Sequence, residues 1–258
     1  MTLFGLHIII SRRLSAAALA SLLSIAPALA GEVTVSAATS LSSAFKAVGK
    51  AYETRYSGAK VLFNFGASGA LLQQLVKGAP VDVFASADQE TMDLAQKQRL
   101  IDATQRRNFV SNELVLIVPA ASTAGIARLA DLGKTHVARV AMGNPGSVPV
   151  GRYARHALQA AHIWPAIQGK TIMTHNARQA LDYVARGEVD AAFVYATDAA
   201  LMKGKVKVAF SVPMDVPISY PIAPLATAAN GAQAKRFVAY VLAPEGQAIL
   251  AQYGFRRP

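Results

Sequence analysis

From residue 33 onward, short β-branched runs alternate with stretches in which apolar residues recur every three or four positions. This is the pattern of strand–helix units that build a largely parallel sheet. "VTVS" leads into "SLSSAFKAVGKAYETRY", where Leu41, Ala44, Phe45, Val48, Tyr52 and Tyr56 fall on one helical face. "KVLFNF" leads into "SGALLQQLVKGA", with Leu71, Leu72, Leu75 and Val76 on one side. "PVDVFAS" predicts a third strand and feeds the helix "DQETMDLAQKQRL", which Asp88 is placed to cap. After "NELVLIVP" the same grammar restarts: "RVAMG" runs into "NPGSVPVGRYARHALQAA", "KTIMT" into "HNARQALDYVARG", and "DAAFVY" into "ATDAALMKG". Gly187 and Gly204 stand where helix ends call for a left-handed residue. "KVKVAFSV" and "ISYPIAPLAT" add strands, and residues 231–254 close the chain with helices.

What recurs at the junctions is a turn of small or hydroxyl residues. Five such turns are Ala38-Thr39-Ser40, Gly66-Ala67-Ser68-Gly69, Ser147-Val148-Pro149-Val150-Gly151, His175-Asn176-Ala177 and Tyr195-Ala196-Thr197. In a parallel α/β sheet they all lie at the carboxyl ends of the strands, where such folds bind ligands. Each presents free backbone N–H groups and the positive end of a helix dipole, so several together would hold an anion without a positive side chain. For Ser40 and Ser68 the simplest role is to cap a helix. The glycines around Ser68 also permit a ligand to approach the backbone closely. Tyr195 ends a buried-looking strand at the ligand edge, where its ring can pack while its hydroxyl faces the cleft.

Composition narrows the possibilities. Residues 1–30 read as an export signal: Arg12 and Arg13 ahead of the apolar "LSAAALASLLSIA", then "ALA" before Gly31 as the cleavage site. About 228 residues would remain, enough for two lobes that each bury a core. No other apolar run approaches membrane-spanning length, and the absence of cysteine removes disulfides, thiol chemistry and a lipid anchor on an N-terminal cysteine. The expected compartment is a Gram-negative periplasm. Setting aside Arg12 and Arg13 takes the net charge from +11 to +9, but the basic residues are scattered singly, as on solvated helix faces, and nucleic-acid binding is not expected.

Enzymatic motifs are missing. His136, His156, His162 and His175 have no metal-ligand spacing, and neither a Walker sequence nor G-x-G-x-x-G is present. "GASGA" resembles a nucleophile elbow, but Gly69 directly follows the serine and no histidine occurs after His175 to complete a triad. An exported serine hydrolase using Ser68 remains as a lesser alternative. An effector domain of a transcription regulator would need a helix-turn-helix where the export signal stands. Asp198 reads as a first-turn residue complementing its helix dipole.

In order and spacing, "VSAATSLSSAF", "FNFGASGALLQQL", "GAPVDVFASAD", "MGNPGSVPVGRYARHAL", "FVYATDA" and the terminal "YGF" resemble the periplasmic molybdate-binding proteins of ABC transporters, across essentially the whole mature chain. The resemblance implies a two-lobed type II periplasmic-binding-protein fold of the α/β class. Each lobe would be a mostly parallel sheet flanked by helices, and the lobes would be joined by two crossing strands, "NELVLIVP" and "ISYPIAPLAT". Lobe I would comprise residues 31–112 plus 220–258, and lobe II residues 113–219. Ser40 and Ser68 would supply hydroxyl and amide donors, Val150 and Ala177 backbone N–H groups, and Tyr195 a phenolic hydroxyl. The ligand would be molybdate or tungstate, its molybdenum held as the oxyanion by those same residues. No cofactor and no catalysis are implied, the partner would be an ABC permease, and the carrier would be a monomer. Molybdate and tungstate are dianions that accept hydrogen bonds and cannot donate them, so hydroxyls and amides without a carboxylate suit them. Sulfate is also a bare acceptor, and a carrier for it or for another small anion is the main alternative.

Overall fold

The computed structural model describes residues 31–258, so the export signal read at residues 1–30 lies outside the described residues. In chain order the strands are β1 (Glu32–Ala38), β2 (Lys60–Gly66), β3 (Val83–Ala85), β4 (Arg107–Asn112), β5 (Leu114–Pro119), β6 (Val140–Gly143), β7 (Thr171–Thr174), β8 (Ala191–Tyr195), β9 (Val206–Ser211) and β10 (Ile218–Pro224). The helices are α1 (Ser42–Arg55), α2 (Ser68–Val76), α3 (Gln89–Lys97), α4 (Pro149–Ala160), α5 (Trp164–Ile167), α6 (Ala177–Ala185), α7 (Ala196–Ala199), α8 (Gly231–Leu242) and α9 (Pro244–Gln252).

The strands form two sheets of five, ordered β2-β1-β3-β10-β4 and β7-β6-β8-β5-β9. In the first, β10 runs antiparallel to both neighbours, and in the second β5 does, so four strands of each sheet point the same way. The reversed strand in each case is the one entered on passing over from the other sheet. The passages are Glu113 and residues 212–217; "NELVLIVP" and "ISYPIAPLAT", expected to be the crossings, are chiefly strands inside the sheets.

The periodic faces pack as their spacing requires. Leu41, Ala44, Phe45, Val48 and Tyr52 are fully buried or nearly so, and Phe45 meets Phe109 and Phe237 ring to ring. Each such side chain contributes about 1.5–3 kcal/mol on burial. Leu71, Leu72 and Leu75 bury beneath α2, whereas Val76 is 45% exposed, because the helix ends there before reaching cover. Asp88 caps α3 by accepting from the Thr91 N–H, and Gly187 and Gly204 take positive φ, as expected. "PVDVFAS" pairs only over Val83–Ala85; ahead of it the Asp82 carboxylate accepts from the Thr34 and Asn230 amides. "ATDAALMKG" makes one α-helical turn followed by a 3₁₀ turn.

The register aligns the carboxyl ends. Ala38 lies beside Gly66, Gly143 beside Thr174, and Tyr195 opposite Leu114, so the five junctions open at the facing ends of the two sheets.

Candidate functional site

A small cavity lies between the sheets, walled by Thr39, Ser40, Ala67 and Ser68 from one side and by Val150, Asn176, Ala177 and Tyr195 from the other. All five sequence-derived site residues are therefore brought together, although 155 positions of chain separate the first from the last. Alanine, glycine, valine and proline fill the rest of the wall, and no carboxylate, lysine, arginine or histidine reaches it. A wider space of about 350 Å³ opens nearby against Gln89, Tyr153 and His156. Its charged groups are already engaged with protein partners, so it offers an anion less than the small cavity does.

Neither serine caps its helix. Ser40 sits in a 3₁₀ turn (Thr39–Leu41) and Ser68 begins α2, and neither helix start has a side-chain cap. Instead the Ser68 Oγ accepts from the Ala87 N–H at 3.0 Å, and the Ser40 Oγ lies 3.1 Å from the Tyr220 hydroxyl. Both serines are almost wholly buried. Val150 is the second residue of α4, behind Pro149, and Ala177 the first of α6; helix geometry leaves amides in these positions without a partner in the helix. Asn176 caps α6 through its side-chain oxygen, which accepts from the Gln179 N–H. Tyr195 is 1% exposed, its hydroxyl 3.4 Å from the Ala87 carbonyl. Burial drives its pKa well above the ordinary tyrosine value, which keeps it protonated and a donor.

Behind α6 and α7 lies a buried ion pair. The Asp198 carboxylate is fully buried 3.4 Å from the Arg178 guanidinium. Burial raises the Asp198 pKa to about 6, with Arg178 pulling in the opposite direction. Asp198 does occupy the first turn of α7, as the sequence suggests, but its partner is a side chain from α6.

The two halves touch across the cleft. The Gly69 N–H donates to the Ser147 carbonyl at 3.0 Å. From α4, Arg152 donates through Nε to Asp88 Oδ2 at 2.7 Å and through Nη2 to Thr91 Oγ1 at 2.6 Å. Their side chains are only 12% and 5% exposed for Arg152 and Asp88, so this is a largely desolvated clasp. Beside the second passage, His156 Nε2 meets Asp215 Oδ1 at 2.6 Å.

The family model of the bacterial extracellular solute-binding proteins matches residues 33–256. The chain belongs to this family. As a solute-binding protein it has a binding cleft where an enzyme would have an active centre, in keeping with the absent triad. The molybdate-binding protein ModA of Escherichia coli strain K12 is 34% identical over 231 residues, covering 87% of this chain and 89% of that protein. Among solved structures, the periplasmic molybdate-binding protein of Azotobacter vinelandii superposes with a TM-score of 0.77 at 22% identity, covering 88% of this chain and 99% of that one. The sulfate-binding protein SubI of Mycobacterium tuberculosis H37Rv gives 0.76 at 20% identity, covering 88% and 86%. At those identities the two superpositions speak for the fold.

The sequence did not single out Asn112, Arg152 or Tyr220. Asn112 closes β4, Arg152 reads as one more basic residue on an amphipathic helix, and Tyr220 as a strand aromatic. Each meets its partners only through tertiary register, and no local pattern along these elements marks them out.

Proposed function

We propose that this solute-binding protein captures molybdate, and with it tungstate, between two lobes, and hands the anion to the membrane permease of an ABC transporter. The observation that carries the reading is the small cavity between the sheets walled by hydroxyls, helix-start amides and small apolar groups, with no carboxylate in its lining. Such a wall offers hydrogen-bond donors converging from both sheets, which a bare tetrahedral dianion needs and a protonated anion does not fully satisfy. The ligand named for the relatives in E. coli and A. vinelandii supports the choice of oxyanion. Ser40, Ser68, Val150, Ala177 and Tyr195 are the ligating residues in this reading. Residues 31–112 plus 220–258 form one lobe, 113–219 the other, and they close about Glu113 and residues 212–217. Closure removes water from the anion and strengthens each donor in the lower local dielectric. Residues 1–30 direct export to the periplasm, where the carrier works as a monomer.

Calorimetric titration and thermal unfolding with molybdate, tungstate and sulfate test this. At ligand concentrations about a hundredfold above the dissociation constant, a specific anion stabilises the fold by about 2.7 kcal/mol. For a chain of this size that raises the melting temperature by roughly 5–10 °C. Molybdate and tungstate are expected to do so, and a shift with sulfate alone would reassign the ligand to sulfate.

A further inference from the structure

The hydrogen bonds around Ser40 fix the direction in which its proton points. The Asn112 Oδ1 accepts from the Glu113 N–H at 2.9 Å, which orients the amide so that Nδ2 faces the other way. That Nδ2 donates to Thr197 Oγ1 at 2.9 Å and to the Tyr220 hydroxyl oxygen at 3.3 Å. Tyr220 is fully buried, and its hydroxyl therefore already serves as an acceptor toward Asn112. Its own proton has Ser40 Oγ, 3.1 Å away, as the acceptor. Ser40 then receives from Tyr220, and its one hydrogen is left for the cavity. Ser68 is arranged alike: the Ala87 N–H occupies one lone pair and leaves its hydrogen free. Asn176 likewise has its side-chain oxygen taken by the Gln179 N–H.

We infer that Tyr220, oriented by Asn112, is a specificity-determining positioning residue: it commits the Ser40 hydroxyl to donating, and so biases the cleft toward oxyanions that carry no proton. This rests on the oxyanion-carrier reading above. Hydrogen phosphate or hydrogen arsenate brings an O–H that needs an acceptor, and a Ser40 hydroxyl with one lone pair engaged by Tyr220 and its hydrogen committed to the cavity serves that O–H poorly. Asn112, Tyr220 and Ser40 all belong to the half built on the first sheet, and Thr197 of α7, after β8 in the second, adds an acceptor for Asn112 from across the cleft.

The test compares two dianions of equal charge that differ by one proton, molybdate and hydrogen arsenate, titrated at pH 8 by calorimetry. In Tyr220→Phe, the Ser40 hydroxyl is free to turn and present a lone pair to the cavity in place of its hydrogen, and the ratio of molybdate to hydrogen arsenate affinity is expected to fall on the order of tenfold, as for one misdirected buried hydrogen bond. Asn112→Asp supplies a second route. Its carboxylate draws the Tyr220 proton toward itself, reverses the relay and makes Ser40 an acceptor. The added charge repels both dianions equally, so the ratio should again fall. A variant that folds and binds molybdate with the wild-type ratio would overturn the relay while leaving the carrier reading intact. If the wild-type protein takes sulfate in place of molybdate, the sulfate to hydrogen arsenate ratio reads the same effect. Wild-type protein that binds none of the bare oxyanions would instead overturn the carrier reading, and the relay with it.

Discussion

A fully buried carboxyl group sits three residues beyond Tyr195, in the first turn of α7. Asp198 has a folded pKa of about 6 against 3.8 for the free group, because burial disfavours its charge more than Arg178 favours it. Between these values the folded chain binds a proton that the unfolded chain has released, so the unfolded state holds fewer protons and stability falls as pH rises. The slope is at most about 1.4 kcal/mol per pH unit for one group, and above about pH 6 it vanishes as both states become ionised. Asp198→Asn should flatten the urea-unfolding free energy across that window; an unchanged profile would show that another group governs it. The same residue-scale logic applies to the two serines. Each looks like a helix cap in sequence, yet each hydroxyl meets a distant partner instead, the Ala87 N–H or the Tyr220 hydroxyl.

At the scale of elements, the start of α2 comes up against the turn before α4. A Cβ added at Gly69 would stand 2.7 Å from the Ser147 carbonyl oxygen and 2.8 Å from its Cα. Both are backbone atoms and cannot swing aside, so glycine is needed for the approach itself. Gly69→Ala should push the two elements apart, lose the Gly69–Ser147 hydrogen bond and lower the unliganded melting temperature modestly, since helix propensity favours alanine in part compensation. It should weaken anion binding by at least about tenfold, since 1.4 kcal/mol of obstructed closure is enough for that. Wild-type affinity in this variant would mean that the two elements need not approach so closely for binding. Gly151 answers a related need within one half, where a Cβ would run into the Gly143 carbonyl and hold α4 off β6.

For the whole molecule, the question is what holds the halves together. The Arg152–Asp88 clasp and the Gly69–Ser147 hydrogen bond cross the cleft, and among the described residues only Glu113 and residues 212–217 carry the chain between the sheets. Arg152→Met keeps the length of the side chain and removes the charge, leaving Asp88 to the Ser86 hydroxyl and the Thr91 amide. Breaking a largely buried pair is costly, and here the cost falls on the closed form alone. The variant should therefore have a larger radius of gyration in solution scattering without ligand, compact again on saturation with molybdate, and release it on the order of tenfold faster, the equivalent of about 1.4 kcal/mol. Equal scattering profiles and release rates would show that the clasp is not what favours closure.

Much of this protein is determined by local sequence. The alternation of β-branched runs and amphipathic helices, the small-residue turns between them and the absence of catalytic or metal motifs follow from spacing and residue type, because backbone sterics and the burial of one helix face act over a few residues. They suffice to specify an α/β chain and the turns that wall the cleft. Which strand returns antiparallel, how Val76 comes to be exposed, and whether a serine caps a helix or faces a cavity are decided by what lies across the fold. So are the partners of Asp88, Asp198 and Ser40: Arg152 is 64 positions away from the first, and Tyr220 180 positions from the last. Hydrogen-bond direction and closure depend on pairs brought together by sheet register, and no periodicity along one segment records which distant segment will supply the other half.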